Sequence, residues 1–491
     1  MNKNYFAILL GILGMIYTSQ TYSQTQIGED IDGEDSVDLL GSATAISDDG
    51  TVVAVGVERN TGNGSNTGQA KVYQNINDQW VQMGSTLYGN EGDNFGNSVA
   101  LSSDGSIVAV ASRGINVYTR VFQYNGTDWV QLGADFEREV NDRFSTVIGL
   151  SLSSDGNRIA IGMPLNEDQG RYTGQVRIYE YINNDWVQIG QDINGKGTVS
   201  LIDERFGHSV SLSDDGNRVG VGAPGSGLAV GKVRVYEFDG MDWSQIGSDF
   251  GPGNQGGQSG ATVSMSADGD RIAVSVPGTV LGAAYIYDYN GNQWVTSEIF
   301  DKTGNCKVSL SADGERLAIS DFTYNWTGDG FNEGMYGNVR IYEYDHISQK
   351  WPLLGTEIIG EKSWDEFGSS VALSGDGTTV IAGAAYNDDN GLSNQGHARV
   401  FQFESNNLSI GEHTLETSIS IYPNPVVDKL QVILQNGNNL EKITIYALDG
   451  KKILEVTKPS TSIDLQELPK GIYMLRMESN KEVSTQRIVR N

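Results

Sequence analysis

Aromatic side chains with the potential to bind a ligand are concentrated near one glycine-rich segment, residues 321–336. The candidates are Phe322, Tyr324, Trp326, Phe331, Tyr336 and, further along the chain, Trp364. Aromatic faces suit the apolar faces of sugars and the central contacts of protein interfaces. Packing of the segment against itself or against a neighbouring element is the structural alternative.

Acidic residues offer a second chemistry, the binding of calcium, which needs closely spaced oxygen ligands such as Asp-x-Asp-x-Asp-Gly. The sequence lacks this motif. Its nearest approach is Asn387-Asp388-Asp389-Asn390-Gly391, with Asp388 and Asp389 as candidate ligands, and Asn166-Glu167-Asp168 is similar. A solvated acidic turn is the favoured interpretation of both, so we expect no cofactor.

Residues for catalysis do not form a recognisable set. The histidines are scattered, at His208, His346, His397 and His413. Gly96-Asn97-Ser98-Val99-Ala100 begins like a nucleophile elbow, but Ala replaces the closing Gly, and an elbow needs a strand-turn-helix setting. The same serine recurs as Ser209 and Ser370, which indicates a repeated structural residue, and we expect a protein without enzymatic activity.

These residues belong to a repeat that is marked by the tetrad Ser-x-Asp-Gly or a near copy. The seven Asp-Gly pairs are Asp49-Gly50, Asp104-Gly105, Asp155-Gly156, Asp215-Gly216, Asp268-Gly269, Asp313-Gly314 and Asp376-Gly377. Their spacing of 45 to 63 residues is typical of a propeller or another array.

Each repeat contains four short runs rich in Val, Ile, Tyr and Phe, separated by Gly, Asp and Asn, which predicts four strands. Asp-Gly suits a tight hairpin between the first two strands. Six tryptophans share the fourth-strand position, and their periodicity predicts a packing role. They are Trp80, Trp129, Trp186, Trp243, Trp294 and Trp351, whereas Trp326 and Trp364 lie outside this register.

The seventh repeat lacks its fourth strand, and a matching segment stands at the other end of the chain. Gln24-Thr25-Gln26-Ile27-Gly28 resembles Trp186-Val187-Gln188-Ile189-Gly190, and Asp30-Ile31-Asp32-Gly33 resembles Asp192-Ile193-Asn194-Gly195. An N-terminal strand would thus complete the last sheet and close a ring. We predict an all-β fold, a seven-bladed β-propeller over residues 24–404.

The repeat resembles the FG-GAP family of integrin-α-like propellers. Phe95-Gly96, Phe206-Gly207 and Phe367-Gly368 match the first element, and Gly222-Ala223-Pro224 matches the second. Other repeats depart from it, and the family's calcium residues cannot be carried over, because the hairpin that holds them is shortened here to Ser-x-Asp-Gly.

The two ends of the chain indicate export. Residues 1–23, with Lys3 and a short apolar run, are typical of a secretory signal cleaved after Ser23. Residues 405–416 form a polar linker, and alternation in residues 417–491 predicts a small β-sandwich. There, Tyr422-Pro423-Asn424-Pro425, Asp449-Gly450-Lys451 and Leu468-Pro469-Lys470-Gly471-Ile472-Tyr473 resemble, in their usual order, the type A C-terminal sorting domain of the type IX secretion system.

This second resemblance implies a Bacteroidota source, interaction with the type IX machinery through residues 417–491, and a product at the outer cell surface or released. The chain has 33 basic and 62 acidic residues, a net charge of −29, so nucleic acid and anionic membranes are excluded as partners. We expect an adhesion or binding module for an extracellular glycan or protein. A glycan-active hydrolase or lyase on the same scaffold is the alternative, and a structural surface component is a third.

Overall fold

The computed structural model divides the chain into two compact units, residues 1–406 and residues 407–491. It describes residues 21–61, 64–137, 149–196, 203–225, 230–253, 257–278, 282–301, 303–323, 336–388, 391–406, 419–422, 426–434, 440–447, 451–457, 462–466, 468–479 and 483–490. In these ranges the regular structure is entirely β-strand. They hold no helix with the length and apolar character needed to cross a bilayer.

The first unit contains seven antiparallel sheets, one for each repeat. Two N-terminal strands, β1 (Thr21–Gln26) and β2 (Ile31–Asp32), precede them. Sheets one to three are built from β3 (Leu40–Ile46), β4 (Val52–Val57), β5 (Gln69–Asn75), β6 (Trp80–Gln82) and β7 (Leu87–Tyr88); β8 (Ser98–Leu101), β9 (Ile107–Ala111), β10 (Tyr118–Tyr124), β11 (Trp129–Gln131) and β12 (Phe136–Glu137); and β13 (Leu150–Leu152), β14 (Arg158–Met163), β15 (Gln175–Ile182), β16 (Asp185–Gln188) and β17 (Ile193–Asn194).

Sheets four to seven follow the same order. They are built from β18 (Ser209–Leu212), β19 (Arg218–Ala223), β20 (Lys232–Phe238) and β21 (Trp243–Phe250); β22 (Val263–Met265), β23 (Arg271–Val276), β24 (Ala283–Tyr289) and β25 (Trp294–Asp301); β26 (Cys306–Leu310), β27 (Arg316–Asp321), β28 (Asn338–Glu343) and β29 (Leu353–Ile359); and β30 (Ser370–Leu373), β31 (Thr379–Ala384) and β32 (His397–Asn406).

The sheets form a closed ring, which confirms the predicted propeller. The first strand of each sheet contacts the first strand of the next, and β30 of the last sheet contacts β3 of the first. The N-terminal strand β1 pairs antiparallel with β32, from Thr21↔Asn406 to Gln26↔Phe401, and β2 pairs with the start of β32. The last sheet is thus completed by the other end of the chain, as predicted.

The bounds of this closing pair differ from the sequence expectation. Strand β1 begins at Thr21, so the boundary predicted after Ser23 falls inside it, and β32 continues to Asn406, two residues into the predicted linker. The two extensions have one cause, because residues 21–23 pair with residues 404–406 and each lengthens the other strand.

The hydrophobic core of the propeller lies between neighbouring sheets. Ala54 and Val72 of the first sheet, for example, pack with Val99, Val108 and Trp129 of the second. All six residues of β4 are buried, which explains why the second strands are nearly continuous runs of small and branched apolar residues.

Each Ser-x-Asp-Gly tetrad forms the hairpin between the first and second strands. In the first sheet, Ser47 Oγ donates to Asp49 Oδ1 (2.7 Å) and accepts from the amide of Val52 (2.9 Å), while Gly50 has a φ of 71°. The same serine-to-aspartate bond recurs in the other six turns. Burial opposes ionisation of Asp49, but its bonds from Thr51 and Ser47 outweigh burial and hold its pKa below the ordinary value.

A ring of backbone hydrogen bonds joins the seven turns. The second residue of each tetrad donates its amide to the carbonyl of the equivalent residue in the next sheet, and the last turn closes the circle with a shift of one residue. The bonds are Asp48→Ser103, Ser103→Ser154, Ser154→Asp214, Asp214→Ala267, Ala267→Ala312, Ala312→Gly375 and Asp376→Asp48, each 2.8 or 2.9 Å. We call this side of the propeller the turn face.

The repeated tryptophans join neighbouring sheets near their outer strands. Trp129 Nε1 donates to the carbonyl of Met83 (2.6 Å), and Trp243 Nε1 donates to that of Ile189 (3.0 Å). The equivalent bond occurs at Trp80, Trp186 and Trp294. Gln24 stands at this position in the last sheet, where its Oε1 accepts from the amide of Thr356 (3.3 Å). These contacts confirm the predicted packing role.

Two physical constraints explain why glycine occupies the repeated motif positions. Gly207 has a φ of 87°, which a Cβ atom would disfavour. Its carbonyl approaches Gly162 of the preceding sheet so closely that a Cβ there would lie 2.0 Å from the oxygen. The same contact recurs between Gly260 and Gly222. The resemblance to the FG-GAP pattern thus reflects the close approach of adjacent sheets.

The second unit is a small sandwich of two sheets. Its strands are β33 (Ile419–Tyr422), β34 (Lys429–Leu434) and β37 (Ser462–Asp464) in one sheet, and β35 (Leu440–Ala447), β36 (Lys452–Thr457), β38 (Gly471–Ser479) and β39 (Val483–Arg490) in the other. Leu430 and Val432 pack against Ile443 and Leu475 in a shared core. Tyr473, from the Leu-Pro-x-Gly-x-Tyr segment, donates its hydroxyl to the carbonyl of Pro469 (2.8 Å).

Candidate functional site

The side opposite the turn face carries the connections between sheets and the loops between second and third strands, and we call it the connection face. In three of the connections, a buried aspartate fixes the backbone through hydrogen bonds. Asp365 Oδ2 accepts from the amide of Lys362 (3.0 Å) and from Asn387 Nδ2 in the next loop (3.1 Å). Asp38 and Asp93 hold the equivalent positions, with bonds to Asn60 and Asn116. These hydrogen bonds hold the three connections, and the side chains that they carry, in fixed positions.

Trp364 is displayed by the connection between the sixth and seventh sheets. It has a φ of 75°, and 56% of its surface is exposed. The equivalent residues in two other connections are Val37, with a φ of 70°, and Gly92, with a φ of 80°. This backbone conformation suits glycine, and a bulky L-residue in it is strained. The structure thus holds a large aromatic side chain in solvent at a strained position.

The structure brings Tyr336 next to the same connection. The carbonyl of Tyr336 accepts from the amide of Phe367 (3.1 Å), three residues after Trp364. Phe322 lies at the other end of the predicted aromatic segment, in a turn where Thr323 Oγ1 accepts from the amide of Asn305 (3.4 Å). Phe322 and Tyr336 are both half-buried. Tyr324, Trp326 and Phe331 lie outside the described residues, so their role as ligand-binding residues stays a prediction.

Tyr386 is an exposed aromatic residue that the sequence prediction did not single out. It is 43% exposed and directly precedes Asn387, which bonds to Asp365 of the Trp364 connection. Its only sequence signal is its place at the start of the long loop between the second and third strands of the last repeat. Trp364 and Tyr386 therefore project from two loops that are joined by hydrogen bonds.

One of the predicted acidic candidates, Asp388, lies beside this aromatic pair. Asp388 is exposed, its carboxylate accepts from the amide of Asn394 (2.5 Å), and its carbonyl accepts from Lys362 Nζ (3.0 Å). The bond from Asn394 shows that the Asp388 carboxylate stabilises the loop to which it belongs. Asp389 lies outside the described residues, and the proposed metal role of both stays a prediction.

Burial changes the pKa of three groups at or near the first strands. It lowers the pKa of His208 to about 4, lowers that of Lys307, and raises that of Glu366. His208 is therefore neutral at neutral pH, and its Nδ1 lies 3.2 Å from the carbonyl of Ala261 in the next sheet.

The recurring first-strand serines have a structural role in at least two sheets. Ser209 Oγ donates to the carbonyl of Gly260 (2.8 Å), and Ser370 Oγ donates to that of Gly41 (2.7 Å). Each bond joins one sheet to the next, which explains why the residue recurs. The structure also brings together Asp30, Asp32 and His397, a cluster that the sequence prediction missed.

The fold and the divergent connection face define a β-propeller that displays exposed side chains, with a β-sandwich as a second unit. Family models match two segments of the chain: an FG-GAP repeat over residues 361–401 and a secretion system C-terminal sorting domain over residues 420–491. The chain thus carries an FG-GAP repeat, and the repeat segment includes Trp364, Tyr386 and His397.

The sorting domain marks a protein that the type IX secretion system exports to the cell surface or the extracellular space. It implies an interaction with that secretion machinery. Both findings confirm the sequence predictions of localisation and of this partner.

The solved structures that are similar to the chain include the following two. The WD40 repeats of RRP9 are 9% identical and cover 78% of this chain and 100% of their own, with a TM-score of 0.48. A protein of Bacteroides uniformis ATCC 8492, provisionally described as a 6-phosphogluconolactonase, is 14% identical and covers 66% of this chain and 86% of its own, with a TM-score of 0.46. No curated protein matches the sequence.

Proposed function

We propose that this exported propeller is a non-catalytic binding module for an extracellular glycan or protein, with its ligand site on the connection face beside Trp364. The observation that carries the proposal is the exposure of Trp364, a large aromatic residue with 56% of its surface in solvent at a position where two other connections hold Val37 and Gly92. A left-handed conformation costs a non-glycine residue roughly 1–2 kcal/mol. The fold imposes this cost on Val37 as well, so the feature that distinguishes Trp364 is its exposed aromatic ring, which is available to a ligand.

The surroundings of Trp364 support a preformed site. Asp365 fixes the connection by accepting hydrogen bonds from Lys362 and Asn387. Lys362 Nζ also donates to the carbonyl of Asp388 in the neighbouring loop. A side chain that is held in place before binding loses less entropy when the ligand arrives. Tyr386 adds a second exposed aromatic surface on the joined loop. Aromatic residues among polar groups on a rigid rim are the pattern expected for stacking against a sugar ring or a small protein patch.

The test is an array of extracellular glycans and matrix proteins, probed with the full chain and with Trp364→Gly. Glycine fits the backbone, so we expect the variant to fold and to lose affinity by roughly tenfold or more, as for an aromatic hot spot. Val37→Gly is the matched control, because Val37 holds the equivalent position in another connection, and its affinity should stay unchanged. Trp326→Ala tests the part of the aromatic segment outside the described residues.

Equal binding by the wild type and Trp364→Gly would overturn the assignment of the site. Turnover of any polysaccharide in a panel incubated with the wild type would overturn the non-catalytic part of the proposal. That result would favour a hydrolase or lyase on the propeller instead.

A further inference from the structure

The junction that closes the ring holds three side chains of the kinds that ligate metals. The ligand atoms of Asp30, Asp32 and His397 all lie within 4.8 Å of one another, and Asp30 Oδ2 is 3.4 Å from His397 Nδ1. His397 is fully buried at the start of β32, where it pairs with Asp32 of β2. Asp30 is reachable from solvent, since 22% of its side chain is exposed.

The third sheet shows what the same three positions do without a metal. Gln175, Asp192 and Asn194 stand where His397, Asp30 and Asp32 stand in the last sheet. Gln175 Nε2 donates to Asp192 Oδ2 (3.2 Å) and to Asn194 Oδ1 (2.9 Å). Gln175 Nε2 also lies 3.3 Å from Asp168 Oδ2, so the Gln175 amide joins the neighbouring carboxylates and the Asn194 side chain without a metal. In the last sheet both amides are replaced, one by an imidazole and the other by a second carboxylate.

The arginine that faces the carboxylate also changes its position. In the third sheet Arg177 Nε lies 3.1 Å from Asp192. In the last sheet the equivalent Arg399 donates to Gln26 Oε1 (3.1 and 3.0 Å), and its Nε lies 3.8 Å from Asp30. The second carboxylate thus enters the cluster while the fixed positive charge moves away from it. The cluster of the last sheet thus combines two carboxylates and an imidazole with a more distant arginine, and this charge balance favours another cation.

We propose that Asp30, Asp32 and His397 bind a divalent transition-metal ion of the zinc class, which joins the N-terminal segment to the last sheet. Three protein ligands with oxygen and imidazole donors, and a further position for water, match a zinc site. Zinc bonds of about 2.0–2.1 Å place tetrahedral ligand atoms about 3.3 Å apart, so the Asp30–His397 distance already fits. Calcium prefers oxygen ligands alone, and the buried imidazole disfavours it.

The test is a titration of the full chain with Zn²⁺, followed by calorimetry and by the thermal unfolding temperature of the propeller. The titration is run at a mildly alkaline pH, because zinc binds the deprotonated forms of its ligands. We expect one tight equivalent and a higher unfolding temperature, which a chelator reverses and Ca²⁺ does not reproduce. His397→Gln with Asp32→Asn recreates the set of the third sheet, so this variant should fold and bind at least about tenfold more weakly.

His346→Asn is the control for adventitious binding, because His346 is exposed and paired with Glu315 (2.8 Å) on another sheet. It should leave both the affinity and the shift in unfolding temperature unchanged. The proposal is overturned if the wild type gains no stability with Zn²⁺, or if the double variant binds Zn²⁺ as tightly as the wild type.

Discussion

The turn face and the connection face are built from the same seven repeats, yet they have diverged to different degrees. On the turn face, the serine-to-aspartate bond recurs in every sheet and the backbone ring passes through every turn. On the connection face, equivalent positions hold Trp364, Val37 or Gly92. The difference indicates that the turn face maintains the closed ring, while the connection face is where side chains changed without harm to the fold.

The largest expected effect comes from the strand on which the ring depends. Deletion of residues 21–33 removes β1 and β2 and, with them, the buried side chains of Ile27 and Ile31. Their burial alone is worth about 3–6 kcal/mol. We expect the cooperative thermal unfolding transition of the propeller to be lost, as measured by circular dichroism. Addition of a peptide covering residues 21–33 should restore it in part, and an unchanged melting temperature would contradict closure by this strand.

A smaller effect is expected from one turn. Ser213→Ala removes a buried hydroxyl that donates to Asp215 (2.6 Å) and accepts from the amide of Arg218 (2.9 Å). Because the amide and carboxylate lose their partner, the free energy of unfolding should fall by about 1–3 kcal/mol. Ser154→Ala is the control, since its contribution to the ring is made by backbone atoms, and denaturant melts should show a change within about 0.5 kcal/mol. Equal losses of stability in Ser213→Ala and Ser154→Ala would contradict a specific role for the Ser213 hydroxyl.

The smallest expected effect is a gain in the free energy of unfolding and not a loss. Trp364→Gly relieves the strain of a left-handed φ, so the free energy of unfolding should stay constant or rise by about 1 kcal/mol in denaturant melts. The same substitution should weaken ligand binding by roughly tenfold or more. A clear loss of stability would show that Trp364 packs like the repeated tryptophans, and the two faces would then differ less than proposed.

The sequence was sufficient to predict the architecture, because the repeat makes the strand pattern visible many times. The Asp-Gly hairpins and the packing of Trp129 or Trp243 follow from that periodicity. The role of Ser213 as a bridge within its turn was less visible, since its effect depends on hydroxyl geometry. The extension of β1 to Thr21 was not visible in the sequence, because it depends on pairing with residues 404–406, and the signal boundary after Ser23 stays a prediction.

The candidate site was only partly predictable. Trp364 was recognised because it breaks the register, but its φ depends on the buried anchor Asp365 and could not be read from residue types. Tyr386 carried no signal beyond its place in a long loop. His397 and Asp30 lie at opposite ends of the repeat region, and only closure of the ring brings them together. Contacts between residues so far apart in sequence are set by the fold as a whole.

The pairing of β1 with β32 also constrains the order in which the protein reaches its native state. The first strand made is the last to find its partner, because the logarithmic cost of closing a loop of this length is roughly 5 kcal/mol. As the intervening sheets stack, the two ends approach each other and that cost falls. A chain that has begun to fold from its start therefore keeps one strand edge open until the seventh repeat has been made, and synthesis through β32 becomes a condition for a finished ring.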